Sequence, residues 1–168
     1  MSRTDPVALN DVPEEQAAQR LAACNASPRW IGEMLEHRPY ASVAALLDTA
    51  ERVARSLDWS EVSRALQAHP RIGDSPAGDS VEAQWSRREQ AAVGGSGSGT
   101  QAALREGNVA YERRFGHVFL IRAAGRSAGE MLAELRRRLG NDVRSERAEV
   151  TEQLAQITRA RLERLLAP

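Results

Sequence analysis

Three places in the chain carry side chains whose type and setting can do chemistry. His69 stands in the run AHPRIGD, just past a helical pattern and directly ahead of Pro70. An imidazole titrates near neutral pH, so one held there can act as a general acid or base. A histidine that merely closes a helix end is the plainer alternative, and composition does not separate the two. Ser86, Glu89 and Gln90 follow at i, i+3, i+4 and so share one helix face. With Val81, Trp85 and Ala92 expected opposite and toward the core, that face combines hydroxyl, carboxylate and amide. Such a set grips a small polar molecule, or simply meets solvent. On the last helical pattern Val150, Leu154, Ile157, Arg161 and Leu165 form one stripe, which turns Arg161 toward the apolar side. An inward arginine needs an anion, supplied by a structural carboxylate or by a ligand, unless its stem lies along the core while its head stays wet.

The elements that must position these groups are helical. Apolar residues recur at three- and four-residue spacings, and strict alternation is nearly absent. Pro13 opens a first helix to about Ala23, and Ser27 with Pro28 caps a second through Trp30 and Leu35. Ser42 caps a third, whose stripe runs from Val43 to Leu57, and Ser60 begins a fourth that must end before His69, because a residue preceding proline is pushed out of the α region. Ser80 begins a fifth that runs to about Val93. The stretch GGSGSG, Gly94 to Gly99, then reads as a flexible surface loop. A dinucleotide fingerprint would need a preceding strand, and here the preceding segment is helical. Thr100 caps a sixth helix to Phe115. Val118 to Ile121 reads as extended, and Ser127 with Glu130 makes a capping box for a seventh helix that Gly140 and Asn141 stop. The eighth runs from about Ser145 almost to the C-terminus. The expected fold class is all-α, a single compact bundle of about eight helices forming one domain over 1–168.

Composition bounds the function. The chain has 168 residues, 42% hydrophobic and 27% charged, with 23 basic against 23 acidic side chains. Zero net charge argues against a dedicated nucleic-acid binder. All the basic residues are arginine, which excludes Schiff-base chemistry on a lysine and a Walker A loop. The lone cysteine, Cys24, has no partner within the chain, and the N-terminal MSRTDPVALNDVPEE has no apolar signal core, so a reducing, cytoplasmic setting is expected. No apolar run is long enough to span a bilayer.

The segments LN, CNASPRW with RPY, AHPRIGD, SRREQ, YERRFGHVFLIRAAGRS and EQLAQITRARLERLL extend in order from Leu9 to Leu166. Together they resemble the 2-oxo-4-hydroxy-4-carboxy-5-ureidoimidazoline (OHCU) decarboxylase family, whose members complete the route from urate to (S)-allantoin. HPRIG with the SxxEQ run, and FGxxF, are the most specific pieces. The resemblance implies a compact all-α fold, usually a homodimer, using neither a metal nor an organic cofactor. It assigns catalytic roles to His69, Glu89 and Arg161. Pro70, Ser86 and Gln90 correspond to substrate-contacting positions, and the segment Phe119, Leu120, Ile121, Arg122 and Ala123 to one whose backbone meets the ligand. RPY replaces the commoner RPF, Arg122 stands where a small residue or cysteine is usual, and Gln156 replaces a frequent lysine. The substrate this resemblance implies carries a hydroxyl and a carboxylate on one ring carbon beside a C=N bond that accepts electrons. His69 then serves as acid/base, Glu89 binds ring or ureido N–H groups, and Arg161 pairs with substrate oxygens. Two other functions fit the same residues: a non-catalytic helical binding module of the same fold, and an enzyme acting on a related ureido or hydantoin compound.

Overall fold

Apolar residues at helical spacing produce ten α-helices and no strand among the described residues of the computed structural model, which are 7–74 and 76–167. The helices are α1 (Val7–Asn10), α2 (Glu14–Cys24), α3 (Pro28–Glu36), α4 (Val43–Ser56), α5 (Trp59–Leu66), α6 (Val81–Glu89), α7 (Ala91–Gly94), α8 (Ser98–Phe115), α9 (Ala128–Arg138) and α10 (Val143–Leu166). They fall into two compact units. One takes the chain up to Ala65 together with residues from Leu154 onward, and the other is Leu66–Gln153.

In the first unit α3 packs on both α2 and α4. Ser27 accepts from the Trp30 N–H at 3.1 Å and Pro28 fills the first helical position, so the helix starts where the cap and the missing N–H dictate. Trp30 is wholly buried, and its indole N–H donates to the Ala50 carbonyl at 3.1 Å, pinning α3 to α4. Ser42 caps α4 through the Ala45 N–H. The cap of α5 is Asp58, which accepts from Glu61 N at 3.0 Å, while Ser60, expected at that position, donates its hydroxyl to the same carboxylate. Asp142 likewise caps α10 through Ser145 N at 2.7 Å, so the helix opens at Val143 rather than at Ser145. In both cases a neighbouring aspartate supplies the stronger acceptor, because its charge also suits the positive end of the helix dipole.

The second unit is built on α8 and α9, which pack together. Gly107 permits their approach: a Cβ there would lie 2.4 Å from Cδ2 of the buried Leu135. α8 ends at Gly116, whose φ of 78° is the left-handed conformation that closes a helix. Ile72, Val93, Leu104, Tyr111, Phe119, Ile121, Ala123, Met131 and Leu135 join in one apolar cluster. Through it runs a buried polar group. Arg138 and Glu146 are 1% and 0% exposed and pair through Nε–Oε1 at 2.7 Å. Glu146 also accepts from the Tyr111 hydroxyl at 2.6 Å and from Asn141 at 3.0 Å. Arg138 donates to the Leu120 carbonyl at 2.7 Å and lies over the Phe119 ring at 4.6 Å. Burial, with the Glu146 carboxylate adding to it, pushes the Tyr111 phenol well above its ordinary value.

Two expectations change here. The helix thought to reach Val93 breaks at Gln90, whose φ and ψ of −98° and 10° separate α6 from α7. The Gly/Ser loop shrinks to 95–97, because Gly94 belongs to α7 and Ser98, Gly99 and Thr100 open α8 behind Gly97, which offers no side-chain cap. Gln101 braces this junction by donating to the Val93 and Ser96 carbonyls at 3.1 and 3.0 Å. No helix among the described residues is long and apolar enough to cross a membrane.

Candidate functional site

His69 is half-buried in the turn that follows α5, and its N–H donates to the Leu66 carbonyl at 2.9 Å. Pro70 then forces the chain away from the helix. The next four residues close the expected tight turn: Asp74 N donates to the Arg71 carbonyl at 3.1 Å, and Gly73 takes a φ of 98°. Glycine at that position is what a type II turn requires. Side chains from elsewhere in the unit hold the turn. Gly73 N donates to Gln90 Oε1 at 2.8 Å, Asn108 Nδ2 donates to the Ile72 carbonyl at 2.8 Å, and Arg71 Nε donates to both Glu112 carboxylate oxygens at 2.8 and 3.1 Å. The Gln90 bond joins the HPRIGD turn to the end of the SxxEQ run, two segments separated in sequence by α6.

The face carrying Ser86, Glu89 and Gln90 is placed differently from expectation. Ser86 is 3% exposed, whereas Glu89 and Gln90 are half-buried. Val81, assigned to the core, is 48% exposed, and Ala92 is also exposed. Val81 is the first residue of α6, where little packs around it, and Ala92 lies beyond the break at Gln90, so the three residues never share one stripe. Trp85, Ala83 and Val93 bury instead.

Phe119, Leu120, Ile121 and Ala123 are buried and Arg122 is exposed. The stretch forms neither helix nor strand. Its backbone has protein partners: the Leu120 carbonyl takes Arg138, the Arg122 N–H donates to Gln153 Oε1 at 2.8 Å, and the Arg122 carbonyl accepts from Arg126 Nε at 3.0 Å. The Arg122 side chain therefore points out of the apolar cluster. Because that cluster contains Ile72, Val93, Phe119, Ile121 and Ala123, the HPRIGD turn, α7 and this segment share a common core. A cavity of about 230 Å³ opens beside the turn and α7, lined by Gly73, Asp74, Arg87, Gln90, Gln101 and Arg105 among others. Of the expected site residues only Gln90 lines it; His69, Ser86 and Glu89 do not.

Arg161 belongs to the first unit. It is 3% exposed on a stripe with the buried Val150, Leu154 and Ile157, so its head does not stay in water. Its Nη1 donates to the Ala23 carbonyl at 3.4 Å. One turn away, Thr158 accepts from Asn25 Nδ2 at 3.2 Å, and Asn25 in turn accepts from Ser27 N at 2.9 Å. The Ser27 hydroxyl then donates to Glu61 Oε2 at 2.7 Å. That bond, more than the Arg29 N–H or the Arg64 charge, holds the Glu61 carboxyl below its usual range in spite of partial desolvation. The CNASP run and the ITRARL run thus meet as a buried polar chain. In RPY, the Tyr40 hydroxyl donates to the Met34 carbonyl at 2.7 Å, and burial pushes its phenol up to about 12. The extra oxygen relative to phenylalanine is thereby satisfied.

Asn108, Glu112 and the Arg138–Glu146 pair escaped sequence reasoning. For Asn108 a signal existed: it interrupts the stripe of Leu104 and Tyr111 as a polar residue on an apolar face.

The model of the OHCU decarboxylase family matches residues 10–163. The chain is 30% identical over 122 residues to the uric acid degradation bifunctional protein TTL of Arabidopsis thaliana, an overlap of 70% of this chain and 37% of that protein. Over 160 residues it is 23% identical to the uric acid degradation bifunctional protein of Bacillus sp. (strain TB-90), with 94% and 31% covered. It therefore spans about a third of the length of these relatives. Among solved structures it superposes on an OHCU decarboxylase crystallised in the presence of (S)-allantoin, with a TM-score of 0.76, 24% identity, and coverage of 94% of this chain and 100% of the other. An (S)-allantoin synthase gives 0.68 at 16% identity, over 96% of this chain and 52% of that one. Likeness at these identities establishes the fold.

Proposed function

Because the chain belongs to the OHCU decarboxylase family, we propose that it converts OHCU to (S)-allantoin and carbon dioxide, as one catalytic domain that needs no metal or organic cofactor. The observation that carries this reading is the family match over 10–163, a span that contains His69, Pro70, Ser86, Glu89, Gln90 and Arg161. The chemistry balances without an added electron sink. As the bond to the carboxylate breaks and CO2 leaves, its electron pair forms a double bond to the ureido-bearing carbon, and the ring C=N opens onto nitrogen, which takes a proton. The hydroxyl then gives up its proton to become a carbonyl, and the ureido-bearing carbon gains one on a single face.

In this scheme His69 takes the hydroxyl proton, and the fixed turn after Pro70 supports that role by limiting where the imidazole can go. Glu89 binds ring or ureido N–H groups, Ser86 and Gln90 hold the heterocycle, and backbone groups of the Phe119–Ala123 stretch line it. Arg161 offers its planar fork to substrate oxygens. The protein acts in the cytoplasm as a homodimer. To test the activity, OHCU is generated from urate and its ultraviolet absorbance followed with protein dialysed against a strong chelator. Faster decay with one CO2 released per OHCU is expected. Decay at the spontaneous rate, or activity restored only by added metal, would refute the proposal.

A further inference from the structure

Asn108 lies in the middle of α8 on the face of the buried Leu104 and Tyr111, and is itself 3% exposed. Its Nδ2 donates to the Ile72 carbonyl at 2.8 Å, across 36 residues of sequence. Its Oδ1 is buried with no hydrogen-bond partner among the described residues. A carbonyl can only accept, so the contact with Ile72 fixes which way the amide points and leaves the oxygen in apolar surroundings. Burying a whole amide for one hydrogen bond adds little to stability. What the bond secures is the position of Ile72.

That position bears on His69. On its near side the histidine is held by its N–H on the carbonyl of the buried Leu66. Pro70 narrows the backbone between. On the far side Ile72 is buried and tied by Asn108, and Gly73 is tied by Gln90. Another tether, Arg71 to Glu112, starts from an exposed side chain. Asn108 is therefore a buried tether that stands outside the proposed substrate contacts. We infer that Asn108 is a positioning residue, which holds the Ile72 carbonyl and through it sets the placement of His69 for proton transfer; this rests on the function proposed above.

Asn108→Leu keeps the branched outline of the side chain and removes the donor. Its kcat should fall about ten- to a hundredfold with KM little changed, the loss expected when a catalytic group shifts by about 1 Å. The limb of the pH–rate profile set by His69 should move. Hydrogen exchange in 67–74 should quicken while α8 stays protected. A merely structural loss would scale the whole pH profile down without changing its shape, and that result, or a wild-type kcat, overturns the inference. Should Asn108→Leu fail to fold, Asn108→Asp decides by the same readings, since a carboxylate oxygen facing the carbonyl breaks the contact at constant shape. A wild type that does not turn over OHCU refutes the proposed function instead. Exchange then still reads the tether, and unchanged protection of 67–74 in the variant overturns it.

Discussion

His69 sits in a turn whose two ends are anchored and contributes nothing to an apolar stripe, so its replacement should separate activity from stability. His69→Asn should lower turnover by a factor of about 10²–10⁴, the usual cost of losing a general acid or base, with melting temperature almost unchanged. Near-normal turnover, or unfolding, would make the histidine structural. Glu61 is the converse case, a buried carboxylate with a structural assignment. Its folded pKa lies below the ordinary value of 4.5, chiefly through the Ser27 hydroxyl. The ionised form therefore contributes stability that is fully present above that value and is lost as pH falls through the lowered one. In urea unfolding, the gap between wild type and Glu61→Gln should stay constant above about pH 4.5 and narrow below it. Parallel curves down to acid pH would contradict the assignment. At this scale the inward placement of Arg161 was legible, because one charge in a run of Val150, Leu154 and Ile157 has nowhere else to point. Ser86 was not, because its face depended on where α6 would break.

Among the elements, serine caps at Ser27, Ser42, Ser80 and Ser127 all accept the N–H three residues on, as sequence alone indicates. The starts of α5 and α10 were misjudged for a local reason, since two capping residues lie within three positions and the carboxylate wins over the hydroxyl. No glycine or proline marks the break at Gln90. It accompanies a bond to Gly73, 17 residues away, which helical periodicity does not see. The union of α9 and α10 by Arg138 and Glu146 was invisible for the same reason: each residue reads as one of many surface charges until the fold buries both. Arg138→Met should destabilise the protein by about 3–5 kcal/mol in urea unfolding, because it strands a buried carboxylate. The double variant with Glu146→Gln should recover part of that loss. A single variant that costs under about 1 kcal/mol would show that water reaches the pair.

At the scale of the whole molecule, the all-α class followed from composition and spacing, and the family from motifs distributed along the chain. Spatial grouping was the missing layer. Ile72, Val93, Phe119, Ile121 and Ala123 belong to one cluster, yet they come from three segments whose contacts are long-range. The central claim is that such a scaffold decides which face of the ureido-bearing carbon receives a proton. Spontaneous decay of OHCU has no such preference and gives racemic allantoin. The direct test is to generate OHCU from urate and follow circular dichroism of the product with and without the protein. The account predicts a growing signal of (S)-allantoin that appears only with the protein and is lost with His69→Asn. Complete conversion to an optically inactive product in the presence of folded wild-type protein would contradict it.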